Sequence, residues 1–206
     1  MLLKERERLS ETLLGKQAKE AFKFFVEENE KISWVNLVIY QSLPLDPQEI
    51  QQKPIWETGD LLPVYLKRKE ILAGEMLENL ITKLPADKAV GMKSTVSLGK
   101  KQMRAYIPMI AFQGPQTADF LCQIKADLKT IGQQKGVILR VEGFFHYFGF
   151  ELLRTRRSWE KFLGNCCLLD SVDRHYLGHQ LVTGMGILRI SPFKDKPDEP
   201  RVVELL

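Results

Sequence analysis

The sequence predicts an α+β fold, and three observations carry that prediction. Stretches rich in aromatic and β-branched residues interleave with stretches whose apolar residues recur at helical spacing. Glycine and proline punctuate the boundaries, at Pro44, Pro47, Pro54, Gly59, Pro63, Pro85, Gly99, Gly114-Pro115 and Gly136. From Met103 onward the elements follow the order β-α-β-β-α-β. At 206 residues, 44% hydrophobic and 27% charged, the chain can bury one sizeable core.

Residues 1–31 are charge-rich, but Ala18, Ala21, Phe22, Phe25 and Val26 fall on one helical face, the pattern of a helix packed on a core or offered to a partner. Ser33–Tyr40 (SWVNLVIY) has the composition of a strand. Asp46-Pro47-Gln48-Glu49 can cap one short helical turn. The periodicity of Leu66, Ile71, Leu72, Met76, Leu80, Ile81 and Leu84 predicts a helix over 65–84, stopped by Pro85. Residues 89–98 and 103–112 read as a hairpin with a basic tip at Gly99-Lys100-Lys101.

Thr117 caps a predicted helix running to about Gln133, with Phe120, Leu121, Ile124, Leu128 and Ile131 on its buried side. Strands are predicted at 136–141 and 144–152, and a helix from Thr155 or Ser158 to Leu168. A last strand over 185–191 precedes a polar, proline-rich tail. The split βαβ order matches ferredoxin-like and RNA-recognition-type sheets. The chain thus divides into a helical segment (1–31), an α+β unit of strands and helices (32–102) and an RRM/ferredoxin-like βαββαβ core (103–206).

The formal charge of +4 is compatible with an anionic partner. Cys122, Cys166 and Cys167 form no disulfide framework and point to a reducing, cytoplasmic setting. The charged start MLLKERERLS is not a secretory signal, and no apolar run reaches membrane-spanning length, so no membrane partner is expected. No phosphate-cradling loop or nucleophile elbow is present, and Gly184-Met185-Gly186 reads as a turn.

All three histidines lie between Gly136 and Ser191. Strand alternation puts Phe144, His146 and Phe148 on one face, where His146 is either offered to phosphate or hydrogen-bonded in the core. His175 and His179 are four apart, a spacing suited to zinc if the stretch is helical, with Asp173 or Cys166-Cys167 to complete the set. Arg154, Arg156 and Arg157, with Lys100, Lys101 and Arg104, can track a nucleic-acid backbone or form a solvated surface.

Four pieces carry a family resemblance: Ile107–Phe112 (IPMIAF), Phe144–Gly149 (FFHYFG), Val172–Gln180 (VDRHYLGHQ) and Leu188–Ser191 (LRIS). In order and spacing, residues 106–191 resemble the archaeo-eukaryotic primase superfamily, and within it the primase 1D-like branch. The resemblance implies a nucleotidyltransferase fold using Mg²⁺ or Mn²⁺ held by carboxylates. His146 stands at the position of that family's nucleotide-binding histidine and Asp173 at its later metal-binding aspartate. Arg189, Arg174 and His179 are the further nucleotide-binding candidates. The first-strand acid falls at Ala111, and an alanine cannot hold a cation. Metal binding is therefore expected to be weak or absent and polymerase activity lost, leaving nucleotide or nucleic-acid binding. Two alternatives stand beside this reading. An active primase-polymerase would recruit Glu142 or Asp170 as the second acid, and a protein-interaction module would use the N-terminal amphipathic helix as its contact surface.

Overall fold

Side-chain alternation assigns each strand a buried and an open face, and pairing gathers the strands into two antiparallel sheets. The computed structural model describes residues 12–41, 61–141, 143–192 and 198–206. In chain order the elements are α1 (Ala18–Glu28), β1 (Ile32–Gln41), β2 (Leu62–Lys67), α2 (Arg68–Ala73), α3 (Glu75–Thr82), β3 (Lys88–Leu98), β4 (Met103–Tyr106) and β5 (Met109–Gln113). They continue with α4 (Ala118–Thr130), β6 (Gly136–Val141), β7 (Phe144–Gly149), α5 (Arg156–Cys166), α6 (Arg174–Thr183), β8 (Ile187–Arg189) and β9 (Arg201–Leu205). The α+β class is as expected. The helical turn expected at 46–49 and the side chain of Glu142 lie outside the described residues.

The first sheet runs β2-β1-β3, and the far edge of β3 is shared by β4 and β8. β4 pairs with Thr95–Leu98 and β8 with Gly91–Lys93. The second sheet has the order β5-β7-β6-β9. Both β5 and β6 run antiparallel to β7, so they are parallel to each other with β7 inserted between them. That is the split β-α-β unit through its first three strands. The fourth position departs from the expected order: β8 joins the first sheet, and β9 occupies the edge beside β6.

Three further boundaries differ from expectation, each for a local reason. The stretch expected as one helix over 65–84 begins as β2, because Val64 and Leu66 face the core while Tyr65 and Lys67 face out in register with β1. Its helical remainder is split at Gly74, whose φ of 83° closes α2 in a conformation that favours glycine. The run 103–112 is two strands, parted at Ile107-Pro108, where proline supplies no N–H to a ladder. The tail contains β9, where Arg201-Val202-Val203-Glu204-Leu205 buries Val202 and Leu205.

Two helix caps fall where the sequence places them. Thr117 Oγ1 accepts from Phe120 N–H at 3.3 Å, and Thr155 Oγ1 accepts from Ser158 N–H at 3.1 Å. The apolar stripe of α1 is consumed in the core: Ala21, Phe22, Phe25 and Val26 are fully buried, and Phe25 meets Phe148 edge-on at 5.1 Å. This stripe is therefore not the open contact surface that a protein-interaction module would need. One core joins α1, α2, α3 and the buried face of the first sheet to Met109, Val137, Leu139 and Phe148 of the second. The opposite face of the second sheet packs Ile110, Phe112, Ile138, Phe145 and Tyr147 against α4 and α5.

Candidate functional site

The three motif positions singled out by the sequence meet in one row across the second sheet. Cross-strand register sets His146 on β7 directly between Leu139 on β6 and Ala111 on β5. Partners in an antiparallel pair project to the same face, so the Ala111 methyl lies beside the half-buried His146 imidazole. The segment Ser171–Asp173 then lies along the outer edge of β5. Gln113 N–H donates to Ser171 C=O at 3.0 Å, and Asp173 N–H donates to Ala111 C=O at 2.9 Å. The row reads Leu139, His146, Ala111, Asp173.

Asp173 starts α6. Its Oδ1 accepts from the N–H groups of His175 at 2.9 Å and Tyr176 at 3.0 Å, satisfying two donors that a helix start leaves open. Gly184, at φ 70°, closes the same helix. The cap also aims Tyr176, whose ring stands edge-on to His146 at 5.4 Å while its hydroxyl donates to Ile187 C=O at 3.0 Å. Burial pushes the Tyr176 phenol well above its ordinary range, and Tyr40 adds to the effect. Burial likewise pushes Tyr40 up to about 12, against the opposing pull of the Arg189 guanidinium. Tyr176 thus joins α6 to β8 next to His146, and sequence reasoning singled out neither tyrosine. Their signal was slight: one aromatic at the end of a strand and one inside a short helix.

Arg189 is 7% exposed and donates from Nη1 to Ser191 C=O at 3.0 Å and from Nη2 to Asp198 C=O at 2.9 Å. It ties β8 to the start of the last segment. Arg174 is exposed, donates to Cys167 C=O and pairs with Asp170 at 3.7 Å. The Asp170 carboxylate of that pair is fully exposed. His175 and His179 do share a helix face, with ring centroids 4.3 Å apart. Desolvation first, then the His175 imidazole, push His179 down to about 4, with Asp173 opposing.

A two-metal nucleotidyltransferase centre needs carboxylates that bridge the cations. The described residues do not fit one. Ala111, 1% exposed, presents a methyl group beside His146, and one oxygen of Asp173 is engaged by two backbone amides. Among the described residues no cluster of three or more His, Cys, Asp or Glu is placed to hold a metal ion, zinc at His175 and His179 included.

The basic residues separate into two groups. Lys100 and Lys101 occupy the β3–β4 turn, and Arg104 on β4 and Arg154 are exposed with Lys100 around one groove. Arg156 instead pairs with Glu160 at 2.8 Å on α5, with Arg157 exposed beside it. No helix among the described residues is long and apolar enough to cross a membrane.

The family model described as AEP-like, archaeo-eukaryotic primase 1D-like, matches residues 68–202, more than half of the chain. The match begins well before Tyr106 and takes in α2, α3 and β3. No curated protein and no solved structure matches.

Proposed function

Because the chain belongs to the archaeo-eukaryotic primase 1D-like family, we propose that it binds nucleotide or nucleic acid beside His146 without performing two-metal polymerisation. One observation carries this reading: His146, Ala111 and Asp173 stand side by side in one row, and on the resemblance their motifs bear to the family the middle position, where an acid is expected, is a methyl group. An imidazole on a sheet face, held by the Tyr176 edge, can donate to a phosphate oxygen. Among the described residues, Asp173 is the one carboxylate in that row to help hold a cation around that phosphate.

Titration of a nucleoside triphosphate against wild type and His146→Ala, with and without Mg²⁺ or Mn²⁺, tests the proposal. A hydrogen bond to a charged group contributes about 1.5–3 kcal/mol, so His146→Ala should weaken binding about 10- to 150-fold. Binding should change little on adding either metal. Affinity insensitive to the substitution would refute the role of His146. Primer extension by wild type that disappears in Asp173→Ala would refute the loss of catalysis.

A further inference from the structure

The open face of the first sheet is aromatic and basic along four adjacent strands. On β1, Val35 and Leu37 enter the core while Trp34 and Asn36 stay partly exposed on the other face. On β2, opposite them in register, Lys67 faces Trp34 and Tyr65 faces Asn36, with Tyr65 59% exposed. Lys93 on β3 and Arg104 on β4 extend the same face.

Two grooves meet on this surface. One, of about 560 Å³, is lined by Lys31, Trp34, Lys100, Arg104 and Arg154. The other, of about 610 Å³, is lined by Trp34, Tyr65, Lys93 and Arg104. Glu30 is the single carboxylate among the described residues lining either groove. The Lys67 ammonium stands 5.2 Å from the centre of the Trp34 ring. Desolvation lowers the pKa of Lys93, a cost that an anion bound beside it would relieve. His146 lines neither groove and belongs to the other sheet.

A solvated charged face would carry these cations but has no use for a tryptophan and a tyrosine spread on the same surface. Aromatic faces framed by cations are the chemistry that takes unpaired bases, because stacking needs a base free of its partner and the backbone needs neutralising charge. We propose that this face is a binding platform for single-stranded nucleic acid, separate from the His146 site. Bases stack on Trp34 and Tyr65, and phosphates follow Lys67, Lys93 and Arg104 toward Lys100 and Arg154. A base arriving on Trp34 exchanges the Lys67 contact for stacking and leaves that ammonium to a phosphate.

Fluorescence anisotropy with labelled oligo-dT, oligo-U and a duplex of mixed sequence tests this. Wild type should bind a single strand more tightly than the duplex, and the two oligomers distinguish DNA from RNA. With about five phosphates neutralised, log K should fall against log salt with a slope of about −3.5. Trp34→Ala should weaken binding about 5- to 150-fold, the range of one lost base stack, and Trp34→Phe should retain most of it. Arg104→Glu, an exposed change that spares the core, should weaken binding and flatten the salt slope. His146→Ala should bind the strand as wild type does, so failure of the nucleotide proposal and failure of this one are separable. Equal affinity of wild type and Trp34→Ala, or preference for the duplex, would overturn the platform. So would Arg104→Glu binding as wild type, or inorganic polyphosphate displacing the strand at matched charge.

Discussion

Asp173 offers a test that separates charge from helix capping. In the structure its Oδ1 accepts two backbone N–H bonds, of 2.9 and 3.0 Å, at the start of α6. Asp173→Ala removes both acceptors and leaves two amide donors open. Loss of such a cap costs about 0.5–2 kcal/mol. For a domain of this size each kcal/mol corresponds to about 2–4 °C in Tm, so the variant should melt about 1–8 °C lower. Asp173→Asn keeps an oxygen acceptor, and asparagine caps as well as aspartate, so it should melt within about 2 °C of wild type. Differential scanning calorimetry of the three proteins reads the result directly. An Asn variant as unstable as the Ala variant would show that the negative charge, rather than the cap, is what the fold uses. An Ala variant as stable as wild type would refute the capping argument altogether. Tyr176 follows the cap, so Asp173→Ala should also loosen nucleotide binding beside His146 while Asp173→Asn leaves it near wild type.

Further expectations concern packing and pH. Phe25→Ala empties a fully buried site against Phe148 and should cost about 3–5 kcal/mol, read as a lower urea midpoint at unchanged m-value. Gly91→Ala would bring a new Cβ within 2.5 Å of Ile187 Cγ2 and 3.0 Å of Tyr40 Cε1 where β3 meets β8, so overpacking should cost about 1–3 kcal/mol in a melting experiment. His179 has a folded-state pKa of about 4, below its ordinary 6.5, so the unfolded chain binds the proton more readily. Its contribution to stability is complete above the unfolded value and is lost as pH falls from about 6.5 toward 4. Tm measured across that window should therefore decline less steeply in His179→Gln than in wild type, and parallel curves would refute the assignment.

Local signals proved legible wherever one residue's own chemistry sets the geometry. Thr117 and Thr155 cap the helices expected after them, and the stripe of α1 is buried residue for residue. Legibility failed where two local patterns competed. Tyr65 to Lys67 fits the start of a helix or the end of a strand, and pairing with β1 decides for the strand. Ile107-Pro108 reads as a continuous run until its two halves find different sheets. Arg189 reads as an available cation, yet its guanidinium is spent on the Ser191 and Asp198 carbonyls, which the chain brings to it from outside the strand. The open face of the first sheet escaped notice because Trp34, Tyr65 and Arg104 are far apart in sequence and share no motif.

By itself the sequence determined the α+β class and the helix starts after Thr117 and Thr155, since composition, caps and periodicity act over a few residues. Tertiary structure decided which strands became neighbours. It sent β8 to the first sheet, put Ala111 between His146 and Asp173, and turned Asp173 into the cap that aims Tyr176. The physical reason is that strand pairing is non-local. A strand carries its donors and acceptors on both edges, and which partner satisfies them depends on the whole set of apolar faces that must be buried together.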